Sequence, residues 1–250
     1  MPWSWRLPHS AELAGPDRDR VDAAERELRA FSYIVSHDLA ASFRQVAGFS
    51  RLLLGELGER LTERQQSQVD HIRAATEKCQ LMMEQLLALS RVQQNDLNVL
   101  RLDATKLARL AELQLDAEIR AAGADVTIEA LGEVDGDPTL LAQAFRRLLE
   151  NAIKFRVPGV APRIVIQASD DADGWRLRIT DNGPGVAPAF RERAFGMFQR
   201  LNAEGSHPGV GAGLAICRRI ARRHGGEARF VDTDRGACVE MVLPRRPAPQ

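Results

Sequence analysis

Residues 175–185 read Trp-Arg-Leu-Arg-Ile-Thr-Asp-Asn-Gly-Pro-Gly, a strand pattern that runs directly into a turn. Apolar and polar side chains alternate as far as Thr180, which predicts a half-buried strand. Asp181 stands at the end of that strand, where its carboxylate could accept a hydrogen bond from the amine of a ligand. Gly183 and Gly185 would let a ligand approach the backbone, although Asn-Gly is also common in plain turns. The stretch therefore predicts a strand that ends at a turn or at a binding site.

The flanking sequence predicts a mixed α+β domain around this strand. Residues 164–168 alternate in the same way, and the Asp-Ala-Asp-Gly turn at 171–174 would pair them with the first strand. A helix is predicted from Pro138 to about Phe155, because the first turn of a helix tolerates proline. The other predicted elements are helices at about 103–121 and 211–223 and strands at 126–130, 227–231 and 237–243.

A glycine-rich loop precedes the last predicted helix. Gly209, Gly211 and Gly213 alternate up to Leu214. At a helix start, free backbone N–H groups and the helix dipole can hold phosphate groups. The loop is not a Walker A loop, because no Gly-Lys-Ser/Thr sequence follows it. Its composition is suited to phosphate binding but is weak evidence by itself.

Asn151 and Lys154 lie three residues apart near the end of the helix that starts at Pro138, and therefore on one face. An amide oxygen can serve as one of the hard ligands of Mg²⁺, and an ammonium group can contact a phosphate. Such a pair is also common on an ordinary solvated helix surface. The pair becomes informative only together with the other motifs.

The N-terminal part of the chain predicts two long helices. From about Asp19, apolar residues recur at helical spacing over some 35 residues. Thr62 and Gln65 match a capping box that opens a second helix, which ends near Val92. Two long helices joined by a short loop form an antiparallel hairpin, which buries only one face of each helix. We therefore expect a second copy of the chain to complete a dimeric four-helix bundle.

His37 lies in the middle of the first predicted helix, roughly opposite the apolar stripe on a helical wheel. It is expected to face solvent beside Asp38. A neutral imidazole is nucleophilic at physiological pH, and an adjacent carboxylate can orient it or take its other proton. The pair has the chemistry of a phosphoryl acceptor, although a lone surface histidine more often has no catalytic role.

Composition excludes several other classes of protein. Lys and Arg total 34 and Asp and Glu total 34, so the chain lacks the basic character of a nucleic-acid-binding protein. Cys79, Cys217 and Cys238 are far apart, which disfavours a disulfide framework or a zinc site. The sequence has no apolar run near the roughly 20 residues of a membrane span, and residues 1–6 lack a signal-peptide core. We therefore expect a cytoplasmic protein with no membrane segment in this chain.

Taken in order, the motifs resemble the sequence boxes of the sensor histidine kinases of two-component signalling. Residues 37–39 resemble the H box, residues 151–155 the N box and residues 181–185 the G1 box. Residues 195–198 resemble the F box, and residues 209–214 resemble the G2 box. The resemblance covers about residues 25–245. The sequence around residues 31–37 and 195–201 is similar to that of the phytochrome-type branch of the family. Five motifs in a fixed order make a chance match implausible, although each motif alone is weak.

The resemblance implies a dimerisation and phosphoacceptor hairpin at 19–95 and a Bergerat-type α/β sandwich that binds ATP at 96–245. Residues 1–18 and 246–250 would be tails. By motif, Asp181 would contact the adenine amine, Asn151 would hold Mg²⁺ and Lys154 would reach a phosphate. The lid of the pocket would be about residues 186–208. The remaining nucleotide-binding residues of the pocket and the lid would be Gly183, Gly185, Phe198, Gly209, Gly211, Gly213 and Leu214.

The resemblance further implies a reaction and its partners. His37 would attack the γ-phosphate of ATP in line, with Asp38 as base, and the phosphoryl group would pass to an aspartate of a response regulator. The roughly 20 residues before the first helix are too few for a folded input domain. Either this chain is the catalytic fragment of a larger protein, or a separate sensor protein supplies the input. Two alternatives stay open: a non-catalytic histidine phosphotransfer or scaffold protein with a degenerate ATP site, and an ATPase clamp in which His37 is incidental.

The chain departs from the family pattern at several positions. Residues 40–42 read Ala-Ala-Ser, so the usual basic residue and helix-kinking proline after the H box are missing, and a straighter helix is predicted. Ala41 predicts weak phosphatase activity, and Arg147 stands where an earlier asparagine of the N box is frequent. Val210 and Ala212 predict reduced nucleotide affinity without loss of binding. The arginines at 218, 219, 222 and 223 are interpreted as a solvated helix face.

Overall fold

The computed structural model describes residues 39, 41–57, 60–94, 96–172, 174–201 and 209–245. The chain divides into two compact units, Met1–Ser90 and Arg91–Gln250. The predicted acceptor His37, its neighbour Asp38 and both predicted tails lie outside the described residues.

Two helices make up most of the described part of the first unit. Helix α1 covers residues 41–57, and α2 covers Glu63–Gln94 and so continues past the boundary between the units. The N–H of Gln65 donates to Thr62 Oγ1 at 3.3 Å, and the N–H of Thr62 donates to Gln65 Oε1 at 2.9 Å. These reciprocal bonds satisfy two backbone donors at the helix start. The predicted capping box is confirmed.

The strands of the second unit form two sheets. Strands β1 (Leu100–Asp103) and β3 (Glu133–Gly136) pair antiparallel in a two-stranded sheet. The main sheet contains β2 (Asp125–Ile128), β4 (Arg163–Asp171), β5 (Gly174–Asp181), β6 (Glu227–Val231) and β7 (Cys238–Leu243). Its order is β2-β4-β5-β7-β6, with β2 and β4 parallel and the other pairs antiparallel. The predicted pairing of the strands around the 171–174 turn is confirmed.

Five helices complete the second unit: α3 (Ala104–Gln114), α4 (Asp116–Ala122), α5 (Pro138–Lys154), α6 (Pro188–Ala194) and α7 (Gly213–Arg223). Asp137 caps α5, because its Oδ1 accepts the N–H groups of Thr139 and Leu140. Pro138 occupies the first turn, as predicted. The long apolar face of α5 is buried through Leu141, Ala144, Phe145, Leu148, Leu149, Ala152 and Ile153.

The prediction of one helix over about 103–121 is wrong, since the helix breaks at Leu115 between α3 and α4. Leu115 is fully buried with φ −109° and ψ 16°, so its side chain fills the core where its backbone leaves the helical region. Strands β1 and β3 and helix α6 were not predicted, because four-residue strands and a seven-residue helix are too short to show a clear period.

Among the described residues, every helix is too short or too polar to cross a bilayer.

Candidate functional site

The end of α5 lies against residues of both glycine motifs. A Cβ atom at Gly183 would come within 2.3 Å of the carbonyl oxygen of Phe155, so only glycine fits there. A Cβ atom at Gly209 would come within 2.8 Å of Lys154 Nζ, which places the ammonium group beside the glycine-rich loop. Three sequence boxes that are distant along the chain therefore meet around the last turn of α5.

Asp181 ends β5, and the backbone holds its carboxylate in place. Its Oδ1 accepts the N–H of Gly183 at 2.8 Å and the N–H of Ala237 at 3.1 Å. Burial raises the pKa of Asp181, and these two hydrogen bonds oppose that rise. Since both bonds end on Oδ1, neither occupies Oδ2, which can accept a hydrogen bond from the amine of a ligand.

Gly236 belongs to this site although no sequence pattern indicated it. It lies between β6 and β7 with φ +70°, and a Cβ atom there would come within 1.9 Å of the carbonyl oxygen of Asp181. Gly185 in turn packs against the carbonyl of Gly236. A glycine between two strands is expected for the turn alone. The sequence therefore held no separate signal for its contact with the candidate ligand-binding aspartate.

Asn182 has a structural role in the same turn. Its Oδ1 accepts the N–H of Arg163 at 2.9 Å, and its Nδ2 donates to the carbonyl of Ala161 at 3.0 Å. These bonds attach the turn to the start of β4. The asparagine thus holds the loop, while the neighbouring aspartate carries the candidate ligand contact.

Lys154 lies half-buried at the end of α5. Burial lowers the pKa of Lys154, and the nearby positive charge of Arg200 lowers it further. Its Nζ also lies 4.9 Å from the centroid of the Phe155 ring, within the range of a cation–π contact. Asn151, three residues earlier on the same face, is half-exposed. An amide and an ammonium group are therefore available side by side.

Arg200 is a second cation of this site that sequence reasoning missed. Besides its electrostatic interaction with Lys154, its Cγ lies 3.2 Å from the position that a Cβ at Gly211 would take. The positive charges of Lys154 and Arg200 repel each other, and an anion bound by both would relieve that repulsion. Lys154, Arg200 and the glycine loop thus form a suitable phosphate site. The only available signal was a basic residue two positions after the F box, which is too common to be diagnostic.

The first part of the predicted lid is held by α7. The Arg218 guanidinium lies over the Phe195 ring at 4.1 Å and forms a two-pronged ion pair with Glu192 of α6. The Phe195 ring also meets the Phe230 ring edge-on at 5.4 Å. The side chain of Arg218 is only 12% exposed. The interpretation of all four arginines as a solvated face is therefore wrong for Arg218, because α6 covers it.

Phe198, the last residue of the F box, has a strained backbone. Its φ is +58°, and it is the only residue other than glycine in the described ranges with a positive φ. A bulky residue adopts this conformation at an energetic cost, and such strain is concentrated at functional segments. The strain lies between the α6 part of the lid and residues 202–208, which are outside the described ranges.

The other predicted residues fall at the start of α7. Gly213 is its first residue and Leu214 follows, both half-exposed, and Gly211 lies two residues before the helix. His37 and Asp38 lie outside the described residues. In the second unit the structure brings Lys154 to Gly209 and Asp181 to Gly183.

Residues 136–247 match the family of histidine kinase-, DNA gyrase B-, and HSP90-like ATPases. The chain is 31% identical over 221 residues to the phytochrome-like protein Cph1 of Synechocystis. The aligned region covers 88% of this chain and 29% of that protein. It is 32% identical to the adaptive-response sensory kinase SasA of Prochlorococcus marinus, over 90% of this chain and 60% of that protein. It is 28% identical to the signal transduction histidine-protein kinase/phosphatase MprB of Mycobacterium ulcerans (93% and 47%). The chain thus spans less than two thirds of each relative.

Two solved structures share the fold over most of the chain. Full-length ShkA in complex with AMPPNP has a TM-score of 0.63 at 24% identity, over 88% of this chain and 47% of that one. ThkA in complex with the response regulator TrrA has a TM-score of 0.63 at 18% identity, over 96% and 69%. These similarities confirm the predicted architecture of a helical region followed by an α/β sandwich of the ATP-binding type.

Proposed function

Since this chain belongs to the sensor histidine kinase family, we propose that it transfers the γ-phosphoryl group of ATP to its own His37. The observation that carries the proposal is the convergence of Asp181, Lys154, Arg200 and the glycine loop around the end of α5. The fixed carboxylate is suited to the adenine amine, and the two cations are suited to the phosphate groups of a nucleotide.

Each group of the site has a role suited to its chemistry. Asp181 Oδ2 accepts a hydrogen bond from the adenine amine, while Oδ1 stays bonded to the backbone. Lys154 and Arg200 neutralise the phosphate oxygens, helped by backbone N–H groups of the loop at 209–213. The side-chain oxygen of Asn151 is a suitable ligand for Mg²⁺, which would neutralise charge on the phosphates when bound. Most of the rate would come from positioning and charge neutralisation.

In the proposed transfer, a ring nitrogen of His37 forms a bond to the γ-phosphorus while the bond to the β,γ-bridging oxygen breaks and ADP leaves. Asp38 orients the ring or takes its other proton. The phosphoryl group then passes to a carboxylate of a response regulator, an idea supported by the ThkA–TrrA complex. We retain 19–95 as the phosphoacceptor hairpin, which pairs with a second copy, and 96–245 as the ATP-binding domain.

The decisive experiment measures incorporation of label from γ-radiolabelled ATP into the purified chain. We expect acid-labile, alkali-stable label in the wild type and none in His37→Gln, which should still bind a non-hydrolysable ATP analogue. Asp181→Asn should lose label and weaken analogue binding by about 30-fold or more, because losing one partner of a buried charged contact costs ~2–5 kcal/mol. The asparagine keeps a side-chain oxygen for Gly183 and Ala237, so the turn should survive.

Three other results would contradict the proposal in different ways. Label that persists in His37→Gln would exclude His37 as the acceptor. Steady ATP hydrolysis that is unchanged by this substitution would indicate an ATPase clamp. No heat in a calorimetric titration with the analogue and Mg²⁺ would indicate a phosphotransfer or scaffold protein with a degenerate ATP site.

A further inference from the structure

His224 ends α7 and is one of the few polar side chains buried in the described ranges, with 8% of its surface exposed. Its Nδ1 lies 2.8 Å from the carbonyl oxygen of Ile220, and its Nε2 lies 2.9 Å from the backbone nitrogen of Asp137. A carbonyl only accepts a hydrogen bond and a backbone N–H only donates one. We therefore assign the proton to Nδ1 and the lone pair to Nε2, so the ring is neutral.

The partner of His224 is the residue that starts α5. Asp137 caps the helix through Oδ1, and its Oδ2 accepts the N–H of Asn98 at 3.1 Å. A Cβ atom on the preceding Gly136 would lie 3.2 Å from His224 Nε2 and 2.4 Å from Leu141 Cδ1. The imidazole therefore packs directly on the turn from which α5 begins. We call His224 and Asp137 the α5–α7 clasp.

Helices α5 and α7 run in opposite directions between this clasp and the nucleotide site. The clasp joins the start of α5 to the end of α7, whereas Lys154 and Gly209 meet where α5 ends and the loop leads into α7. Between these ends, the Cys217 thiol lies 3.8 Å from the carbonyl oxygen of Ala144. Since α5 has 17 residues at ~1.5 Å of rise each, it is a rod of about 25 Å. A shift at one end of such a rod moves the other.

We propose that His224 is a positioning residue that sets α5 against α7, and that its protonation weakens ATP binding by releasing Asp137. The proposal rests on the proposed nucleotide site. A ring protonated at both nitrogens would direct an N–H at the N–H of Asp137, and the clasp would open. Lys154 would then lose its fixed distance from the loop at Gly209.

The charges around the ring act in both directions. The C-terminal end of α7 and the Asp137 carboxylate place negative charge near the ring, and Arg223 is the neighbouring residue in the last turn of α7. The Asp137 oxygens already accept three backbone N–H groups, and Asp135 of β3 is paired with Arg101. A protonated His224 ring therefore has to break its hydrogen bond with the Asp137 N–H before it can pair with the carboxylate of Asp137 or of Asp135.

Three proteins test the clasp: the wild type, His224→Gln and His224→Leu. Glutamine offers Oε1 as an acceptor for the Asp137 N–H and does not titrate, whereas leucine offers no acceptor. The measurement is the dissociation constant of a non-hydrolysable ATP analogue with Mg²⁺ from pH 8 to pH 5.5, with thermal unfolding recorded alongside. Protonation of Asp181 affects all three proteins alike, so only the differences between them report on His224.

At pH 8 we expect His224→Gln to bind within about threefold of the wild type and His224→Leu to bind about tenfold more weakly, as for one lost hydrogen bond. Between pH 8 and 5.5 the wild type should lose about tenfold more affinity than His224→Gln. Identical pH profiles of these two proteins would overturn the proposal, even if the leucine variant fails to fold. So would equal affinities of all three at pH 8. No binding by the wild type at any pH would instead refute the nucleotide site itself, and the clasp with it.

Discussion

The two units of the chain differ in how far their large apolar side chains are exposed to solvent. In the second unit many large apolar side chains of α5, α7 and the main sheet are fully buried, among them Phe145, Leu149, Ile166, Leu177 and Ile216. In the described part of the first unit, Phe49 is 67% exposed and Leu53 is 50% exposed. Exposed apolar side chains that cluster on one surface can mark an interaction site. Among the described residues, the second unit therefore buries a large core of its own, whereas α1 leaves part of its apolar face exposed.

The uncovered face follows the helical period of α1. Val46, Phe49 and Leu53 are spaced three and four residues apart, so they lie on one side of the helix. Side chains with that spacing are suited to pack against a neighbouring helix. This supports the proposed homodimer, in which the same face of a second copy would cover them.

The sharpest test of this difference is a matched pair of truncations. Leu149→Ala should lower the free energy of unfolding of the second unit by ~2–5 kcal/mol, because it opens a cavity in a closed core. Phe49→Ala should change that quantity by less than about 0.5 kcal/mol. It should instead weaken self-association, measured by sedimentation over a range of concentrations. Equal destabilisation of the second unit by both variants would refute the distinction.

A second test removes the buried carboxylate of the second unit. Glu240 on β7 is fully buried and accepts hydrogen bonds from Arg178 at 2.8 Å and Arg229 at 2.7 Å. Burial raises the pKa of Glu240, but the arginines outweigh this effect and hold it below its ordinary value. Glu240→Gln should cost about 3 kcal/mol, the low end for a broken buried ion pair, because both arginines are half-exposed.

The pH dependence of this variant has a definite sign. A carboxylate with a depressed pKa contributes stability above its unfolded pKa of about 4.3, and that stability is lost as the pH falls through the folded pKa. Urea unfolding should therefore separate the wild type from Glu240→Gln at pH 7, and the two curves should converge as the pH falls below about 4. A difference that stays constant with pH would show that ionisation of Glu240 does not matter. Self-association should be unchanged.

The smallest expected effect concerns the first unit. Thr62→Ala removes one acceptor of the capping box and should lower the stability of α2 by about 1 kcal/mol. Thr62→Ser keeps the hydroxyl and serves as the control. Thermal unfolding followed by circular dichroism reports the helix, and affinity for an ATP analogue should not change. Equal losses in both variants would mean that the hydroxyl does not cap the helix.

Local patterns in the sequence were enough to predict most elements. The capping box at Thr62, the start of α5 at Pro138 and the pairing of β4 with β5 each depend on residues a few positions apart. The prediction failed where the determining contact was distant. Strand β1 pairs with β3 across about thirty residues, and the chain bends at Leu115 because that side chain is needed in the core.

The residues of the candidate site also fall into those predicted from local patterns and those that depend on distant contacts. Asp181, Asn151, Lys154 and the glycines were predicted from the sequence because the order and spacing of their motifs resemble known boxes. Arg200, Gly236 and the covered Arg218 had no such signal, since each depends on a neighbour from another element. The sequence by itself thus determined most of the elements and the family that the motifs resemble, because periodicity and motif spacing are local. Only the tertiary structure decided which side chains meet at the end of α5, because burial, close approach and charge proximity arise when distant segments pack together.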